Sequence, residues 1–195
     1  MLKRLIDIII SLLALIVLSP ILALVAIIIK IDSPGPIFFQ QDRIGRYGIN
    51  FKILKFRTMK AIKQENSLKI TVANDIRITR IGKYLRDYKI DELPQFINVL
   101  IGQMSLVGPR PEVEEYVRYY SKRDKELIFS IRPGITDLAS IKFRNESEIL
   151  AKETHPEEAY IKKVLPRKLK YYRFYVMKQS VILDFWIVWR TILAI

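Results

Sequence analysis

The 195-residue chain has no cysteine and a single histidine. The first absence excludes disulfides, thiolate metal sites and a cysteine nucleophile. The second excludes a histidine-based triad and a multi-histidine metal centre; His155 lies in a polar stretch before Pro156 and reads as a solvated loop residue. Acidic residues are also scarce, 20 against 33 Lys and Arg, for a net charge of +13. Chemistry must therefore rest on carboxylates, Lys, Arg, Ser, Thr or Tyr. The charge implies an anionic partner: phospholipid headgroups, phosphorylated small molecules or nucleic acid. No internal repeat or low-complexity tract is visible.

One hydrophobic run stands out. Leu5 to Ile29 is almost entirely Leu, Ile, Val and Ala, long enough to cross a hydrocarbon core of about 30 Å. Ser19-Pro20 interrupts it. Pro20 has no amide hydrogen and its ring clashes with the carbonyl of Ile16, while the Ser19 hydroxyl can satisfy a freed backbone group. The halves on either side are about 15 and 10 residues, so neither crosses alone at about 1.5 Å per residue. Lys3 and Arg4 precede the run and Lys30 follows it, so both ends favour the cytoplasmic face. The expectation is a helix over residues 1–31 that enters the membrane and turns back at Ser19-Pro20, ahead of a body over residues 32–195. A kinked spanning anchor is the plain alternative. A secretory signal fits less well, because the run is too long and no small-x-small site ends it.

The body is long enough for one domain with its own core. Asp32-Ser33-Pro34-Gly35-Pro36 is a turn. Residues 37–41 and 51–56 read as strands of a hairpin around Gly45-Arg46-Tyr47-Gly48. Residues 60–75 are polar and read as a loop. Helices are expected over 77–88, 92–101 and 113–129. Basic and aromatic residues interleave from Pro166 to Lys178. Val181 to Ile195 is apolar but too short to span, which reads as a helix lying at a lipid interface or, on the alternative, packed in the core.

Asp91-Glu92-Leu93-Pro94-Gln95 is the candidate reactive segment. With Asp91 as N-cap and Pro94 in the first turn, two carboxylates would sit at a helix N-terminus, where anions are stabilised. Such a pair can share Mg²⁺, which takes oxygen ligands and keeps substrate phosphates. On these five residues alone, a plain N-cap followed by a first-turn Glu is the simpler reading. Lys55, Arg57, Arg86 and Arg110 lie at turns and element ends, where phosphate recognition would place them. Basic groups and Mg²⁺ beside a carboxylate fit phosphoryl transfer.

The ordered motifs resemble those of the bacterial sugar transferase family, the monotopic phosphoglycosyl transferases. They run from Lys3-Arg4-Leu5-Ile6-Asp7 and Leu18-Ser19-Pro20 through Ser33-Pro34-Gly35-Pro36 and Gln41-Asp42-Arg43-Ile44-Gly45. Phe51 to Met59, Asp91 to Gln95, Asn98 to Pro111 and Arg132-Pro133-Gly134-Ile135-Thr136 continue them. The resemblance implies a helix-rich mixed α/β fold: a re-entrant membrane helix-hairpin, a short β-hairpin, and a compact catalytic body with interfacial amphipathic helices. It implies transfer of a sugar-1-phosphate from a UDP-sugar to undecaprenyl phosphate with release of UMP. Asp91 would be the nucleophile and a Mg²⁺ ligand, and Glu92 would assist at the metal or as a base. Lys55, Arg57, Arg86 and Arg110 would hold phosphates or nucleotide. The setting would be the cytoplasmic face of the bacterial inner membrane, among anionic lipids, with no nucleic acid partner and homodimerisation left open.

Two departures bear on the sugar. Where many relatives continue Gly-Trp-Ala-Gln after Thr136, this chain has Asp137-Leu138-Ala139-Ser140, and the multi-span N-terminal extension of longer relatives is not in the sequence. The expectation drawn is an N-acetylated amino sugar, with a hexose as the alternative. Of other classes, a nucleic-acid binder has only charge in its favour, and a non-catalytic lipid-binding adaptor would not need Asp91, Glu92 and Arg110 together. A glycosidase needs carboxylates flanking a bond, which sequence neighbours rarely do.

Overall fold

The apolar run forms a single helix, α1 (Leu2–Asp32), in a computed structural model that describes residues 2–60 and 75–194. The polar stretch after Lys60 lies outside the described residues up to Ala73 and Asn74. Pro20 sits inside α1 and does not interrupt it, so the expected break in the helix is not observed. The local chemistry is as anticipated: Ser19 Oγ donates to Ile16 O at 2.8 Å, the carbonyl left without its helical donor by Pro20.

Both ends of α1 rest on the body. At its start, Asp7 is buried and accepts hydrogen bonds from Ser105 Oγ (2.8 Å) and Leu106 N (3.2 Å). Lys3 reaches Val107 O and Asp184, and Arg4 donates to Leu100 O. At its end, Val25 and Ile29 pack with Phe56 and Leu85. Residues 12–24 between them include no buried position, and Ile16 and Val17 are 61% and 71% exposed. An apolar surface of that extent belongs in lipid.

The body is a helix-rich mixed α/β unit. Strands β1 (Phe38–Ile44) and β2 (Asn50–Phe56) pair antiparallel with Gln41 opposite Ile53, as the alternation in β2 predicts. Helix α2 (Arg80–Asp87) is capped by Thr79, whose side chain accepts from Gly82 N. A Cβ at Gly82 would collide with the Thr58 carbonyl, so glycine lets this helix lie directly on the chain leaving β2. Helix α3 (Gln95–Leu100) is locked to β2 by Asn98, which accepts from Leu54 N and donates to Lys52 O. The expected helix over 113–129 is two, α4 (Glu114–Val117) and α5 (Lys122–Ile128), because Ser121 caps a new start.

A second, parallel strand pair was not anticipated. β3 (Ser105–Val107) lies beside β4 (Gly134–Thr136), with Gly108 and Gly134 so close that a Cβ on either would strike the other's backbone. Four helices follow: α6 (Leu138–Lys142), α7 (Glu146–Ala151), α8 (Pro156–Ala159) and α9 (Leu165–Lys178), the last two joined by a π turn over Tyr160–Val164. The main core gathers Tyr116, Tyr120, Leu150, Leu165 and Tyr172. Helix α10 (Val181–Ala194) meets both readings of its sequence. Ile187 is fully buried with Leu106 and Tyr175, while Ile182, Phe185, Trp186 and Trp189 face outward.

Candidate active site

Asp91 and Glu92 lie in a 3₁₀ turn, Ile90–Glu92, that leads through Pro94 into α3. Asp91 is not the N-cap expected from the sequence; Pro94 holds the position before α3, and Lys89 precedes the turn with a left-handed backbone (φ 56°). A lysine in that region is strained. The turn that follows carries Asp91 inward, to 5% exposure.

Basic side chains from three elements converge on the pair. Lys55, in β2, donates to Glu92 Oε1 at 2.7 Å. Arg110, in the loop after β3, grips the same carboxylate with two nitrogens, Nη2 to Oε1 at 2.5 Å and Nη1 to Oε2 at 3.2 Å. This is the forked geometry that makes guanidinium–carboxylate pairs strong. Arg86, in α2, is the third: burial lowers its proton affinity and the Asp91 carboxylate is the main opposing influence.

These contacts give the two carboxylates different characters. Burial pushes the Glu92 carboxyl up, but Arg110 and Lys55 together outweigh it and hold it well below the usual range. For Asp91 burial prevails: its carboxyl is raised above the ordinary value, with Lys55 opposing and Glu92 adding. Among the described residues the Asp91 carboxylate has no hydrogen bond or ion pair. Glu92 is thus an occupied counter-ion, and Asp91 is the oxygen pair left open.

That division bears on a metal. Both Glu92 oxygens are engaged by Lys55 and Arg110, so a divalent cation held here would draw on Asp91 and on oxygens of a bound phosphate, with Glu92 joining only if it gave up one of these contacts. Arg57 also departs from expectation. It is 5% exposed, and its guanidinium donates to the carbonyls of Ile29, Ser33 and Pro34, where α1 ends. Its contacts are with the end of α1, and among the described residues it meets neither Asp91 nor Glu92. Asp137, the first residue of the unusual Asp-Leu-Ala-Ser segment, is 1% exposed and caps α6 by accepting from Ala139 N and Ser140 N. The departure is absorbed as a helix cap rather than presented to a pocket.

Sequence reasoning passed over the buried polar set behind Arg110, namely Arg43, Glu112, Tyr160 and Lys168. The one local signal was Glu112, an acid placed directly after Pro111.

An exposed apolar helix docked on a small body, with Lys55 and Arg110 gathered on Glu92 beside the buried Asp91, fits a membrane-associated protein. The chain belongs to the bacterial sugar transferase family, whose profile matches residues 1–195. It is 39% identical over 193 residues to the UDP-glucose:undecaprenyl-phosphate glucose-1-phosphate transferase of Klebsiella pneumoniae, covering 97% of this chain and 39% of that protein. It is 44% identical over 142 residues to a protein of the same name from Caulobacter vibrioides, covering 72% of this chain and 53% of that one. It is 41% identical over 144 residues to the UDP-N-acetylgalactosamine-undecaprenyl-phosphate N-acetylgalactosaminephosphotransferase of Aeromonas hydrophila, covering 71% of this chain and 33% of that one. The chain therefore spans well under two thirds of the length of these relatives.

Proposed function

We propose that this chain transfers a sugar-1-phosphate from a UDP-sugar to undecaprenyl phosphate, as the first membrane step of glycan assembly. The observation that carries the reading is the division between Glu92, engaged by Lys55 and Arg110, and Asp91, buried beside it with no partner among the described residues. A carboxylate so placed suits nucleophilic attack. An Asp91 oxygen bonds to the sugar-bearing phosphorus of the donor, the bridging P–O bond breaks, and UMP leaves with the electron pair. An oxygen of undecaprenyl phosphate then attacks the same phosphorus, the Asp91–phosphorus bond breaks, and the lipid diphosphate sugar departs. Arg86 and Arg110 steady the phosphates and Lys55 keeps Glu92 in place. Mg²⁺, held by Asp91 and donor phosphate oxygens, would supply positive charge to the transferring group.

The donor sugar in this reading is a hexose rather than the amino sugar anticipated from the sequence, because both glucose-1-phosphate transferases above cover as much of this chain as the N-acetylgalactosamine enzyme or more. The seat is the cytoplasmic face of the inner membrane. Entry and exit of α1 by one leaflet is part of this reading: the helix stays continuous at Pro20, but both its ends touch one body while its middle is exposed, and Ser19 relieves the backbone at Pro20. The exposed aromatics of α10 lie at headgroup level.

UMP release is measured from UDP-glucose, UDP-galactose, UDP-GlcNAc and UDP-GalNAc with undecaprenyl phosphate. Release that needs Mg²⁺ and falls at least a thousandfold in Asp91→Asn is the expected result, with UDP-glucose or UDP-galactose preferred. Near-normal turnover in folded Asp91→Asn would sink the covalent route. For the membrane path, Leu2→Cys introduces a unique thiol, since the sequence has no cysteine. A membrane-impermeant reagent should label it from the cytoplasmic side, and Pro20→Leu should move that labelling to the opposite side.

A further inference from the structure

Arg110 rides on a segment gripped at both ends. Before it, Gly108 N donates to Thr136 O at 3.1 Å and Gly134 N donates to Pro109 O at 3.0 Å. After it, Arg43 Nη1 donates to Pro111 O at 3.0 Å and Ile44 N donates to Glu112 O at 3.0 Å. Pro109 and Pro111 fix their own φ angles, and the second disfavours helical backbone at Arg110 itself. The segment has little freedom left.

The far grip is ionic and buried. Glu112 is 6% exposed, and its Oε1 accepts from Tyr160 Oη at 2.5 Å. Arg43 Nη1 stands 3.7 Å from Oε2, and Lys168 Nζ stands 3.7 Å from Oε1. Lys168, 4% exposed, also donates to Tyr160 Oη at 3.3 Å and pairs with Glu146 at 2.9 Å. Burying such charges is costly, and an apolar set of the same volume is often as stable or more so. Stability alone gives no reason for this set; fixing a geometry does.

The π turn adds a second, independent sign. Tyr160 opens it, and Lys168 lies eight residues on, within α9. In an uninterrupted α-helix the two would stand about 80° apart around the axis. A π turn takes up one extra residue, so they behave as an i, i+7 pair, about 20° apart. The irregular turn brings hydroxyl and ammonium to one face, towards Glu112.

We propose that Tyr160, Glu112 and Arg43 are positioning residues for Arg110, holding its guanidinium where it meets Glu92 and the donor phosphates. The proposal rests on the transferase reading. Tyr160→Phe removes one oxygen and keeps the ring that packs on Tyr116, 4.8 Å between centroids. UMP release over a range of donor concentrations, and UDP affinity by calorimetry, are measured for wild type, Tyr160→Phe, Arg110→Lys and the double variant. Misplacing a catalytic group by about 1 Å costs about a hundredfold, and loss of one anchoring hydroxyl should cost about tenfold of that in kcat/KM, with weaker UDP binding. In the Arg110→Lys background the same change should alter neither by more than twofold. Equal losses in both backgrounds, or no loss in the first, overturn the proposal. If Tyr160→Phe does not fold, Glu112→Gln enters the same cycle. Wild type that binds UDP but releases no UMP speaks against the transferase reading, and the calorimetric cycle still decides the positioning role; wild type that does neither overturns both.

Discussion

Arg57→Lys keeps a positive charge and removes the fork. The Arg57 guanidinium meets three carbonyls at the end of α1, Ser33 O at 2.6 Å, Ile29 O at 3.3 Å and Pro34 O. Carbonyls there have few intrahelical donors. An ammonium on a flexible stem is a single point of charge and does not reproduce that fan of contacts, so one or two are lost. Each hydrogen bond to a charged group is worth about 1.5–3 kcal/mol, which puts the loss at about 1.5–6 kcal/mol. At about 2–4 °C per kcal/mol for a chain of this size, the apparent Tm should fall by about 3–24 °C. The assay is thermal unfolding in lipid nanodiscs, run beside KM for the UDP-sugar donor, which should stay within twofold. An unchanged Tm with a tenfold rise in KM would return Arg57 to the substrate phosphates and refute the capping role.

Glu92→Gln leaves the half-buried Lys55 and Arg110 without their counter-ion; breaking a fully buried pair costs about 3–5 kcal/mol, and this partly exposed one should cost less. The variant should lose stability as well as turnover, so a full Tm with selective loss of UMP release would assign Glu92 to the chemistry instead. Gly82→Ala forces α2 away from the Thr58 carbonyl and carries Arg86 with it. A lower Tm and at least a tenfold lower kcat/KM are expected, and wild-type values of both would show that the helix moves without consequence.

Local patterns were readable where period and turn chemistry acted alone. Alternation over Phe51–Phe56 announced β2, Gly45-Arg46-Tyr47-Gly48 its turn, and Ser19-Pro20 the hydroxyl-to-carbonyl bond inside α1. Lys55, Arg57, Arg86 and Arg110 were singled out among 33 basic residues by turns, element ends and the family resemblance, and two of them, Lys55 and Arg110, meet Glu92. What could not be read depended on partners distant in sequence. Arg57 ends the same strand as Lys55, and only the fold reveals that it turns back to α1. β3 and β4 are three residues each, too short for any period to register. Gly82 looked like a weak point in a helix until the Thr58 carbonyl was seen against it. Asp91 resembled a cap because Pro94 suits a first turn, but the left-handed Lys89 begins a separate 3₁₀ turn ahead of α3.

The polar anchors at the start of α1 set a timetable for biogenesis. Asp7 waits for Ser105 and Leu106, 98 and 99 residues further on, and Lys3 waits for Asp184, 181 residues further on. At roughly 5–20 residues per second of synthesis, the last of these partners leaves the ribosome about 10–35 s after Lys3. Until Leu100 and Ser105 have emerged, the start of α1 lacks every polar partner it has in the folded body. The apolar helix is therefore committed to the membrane early, and the nascent body must fold onto it rather than draw a finished anchor in after it.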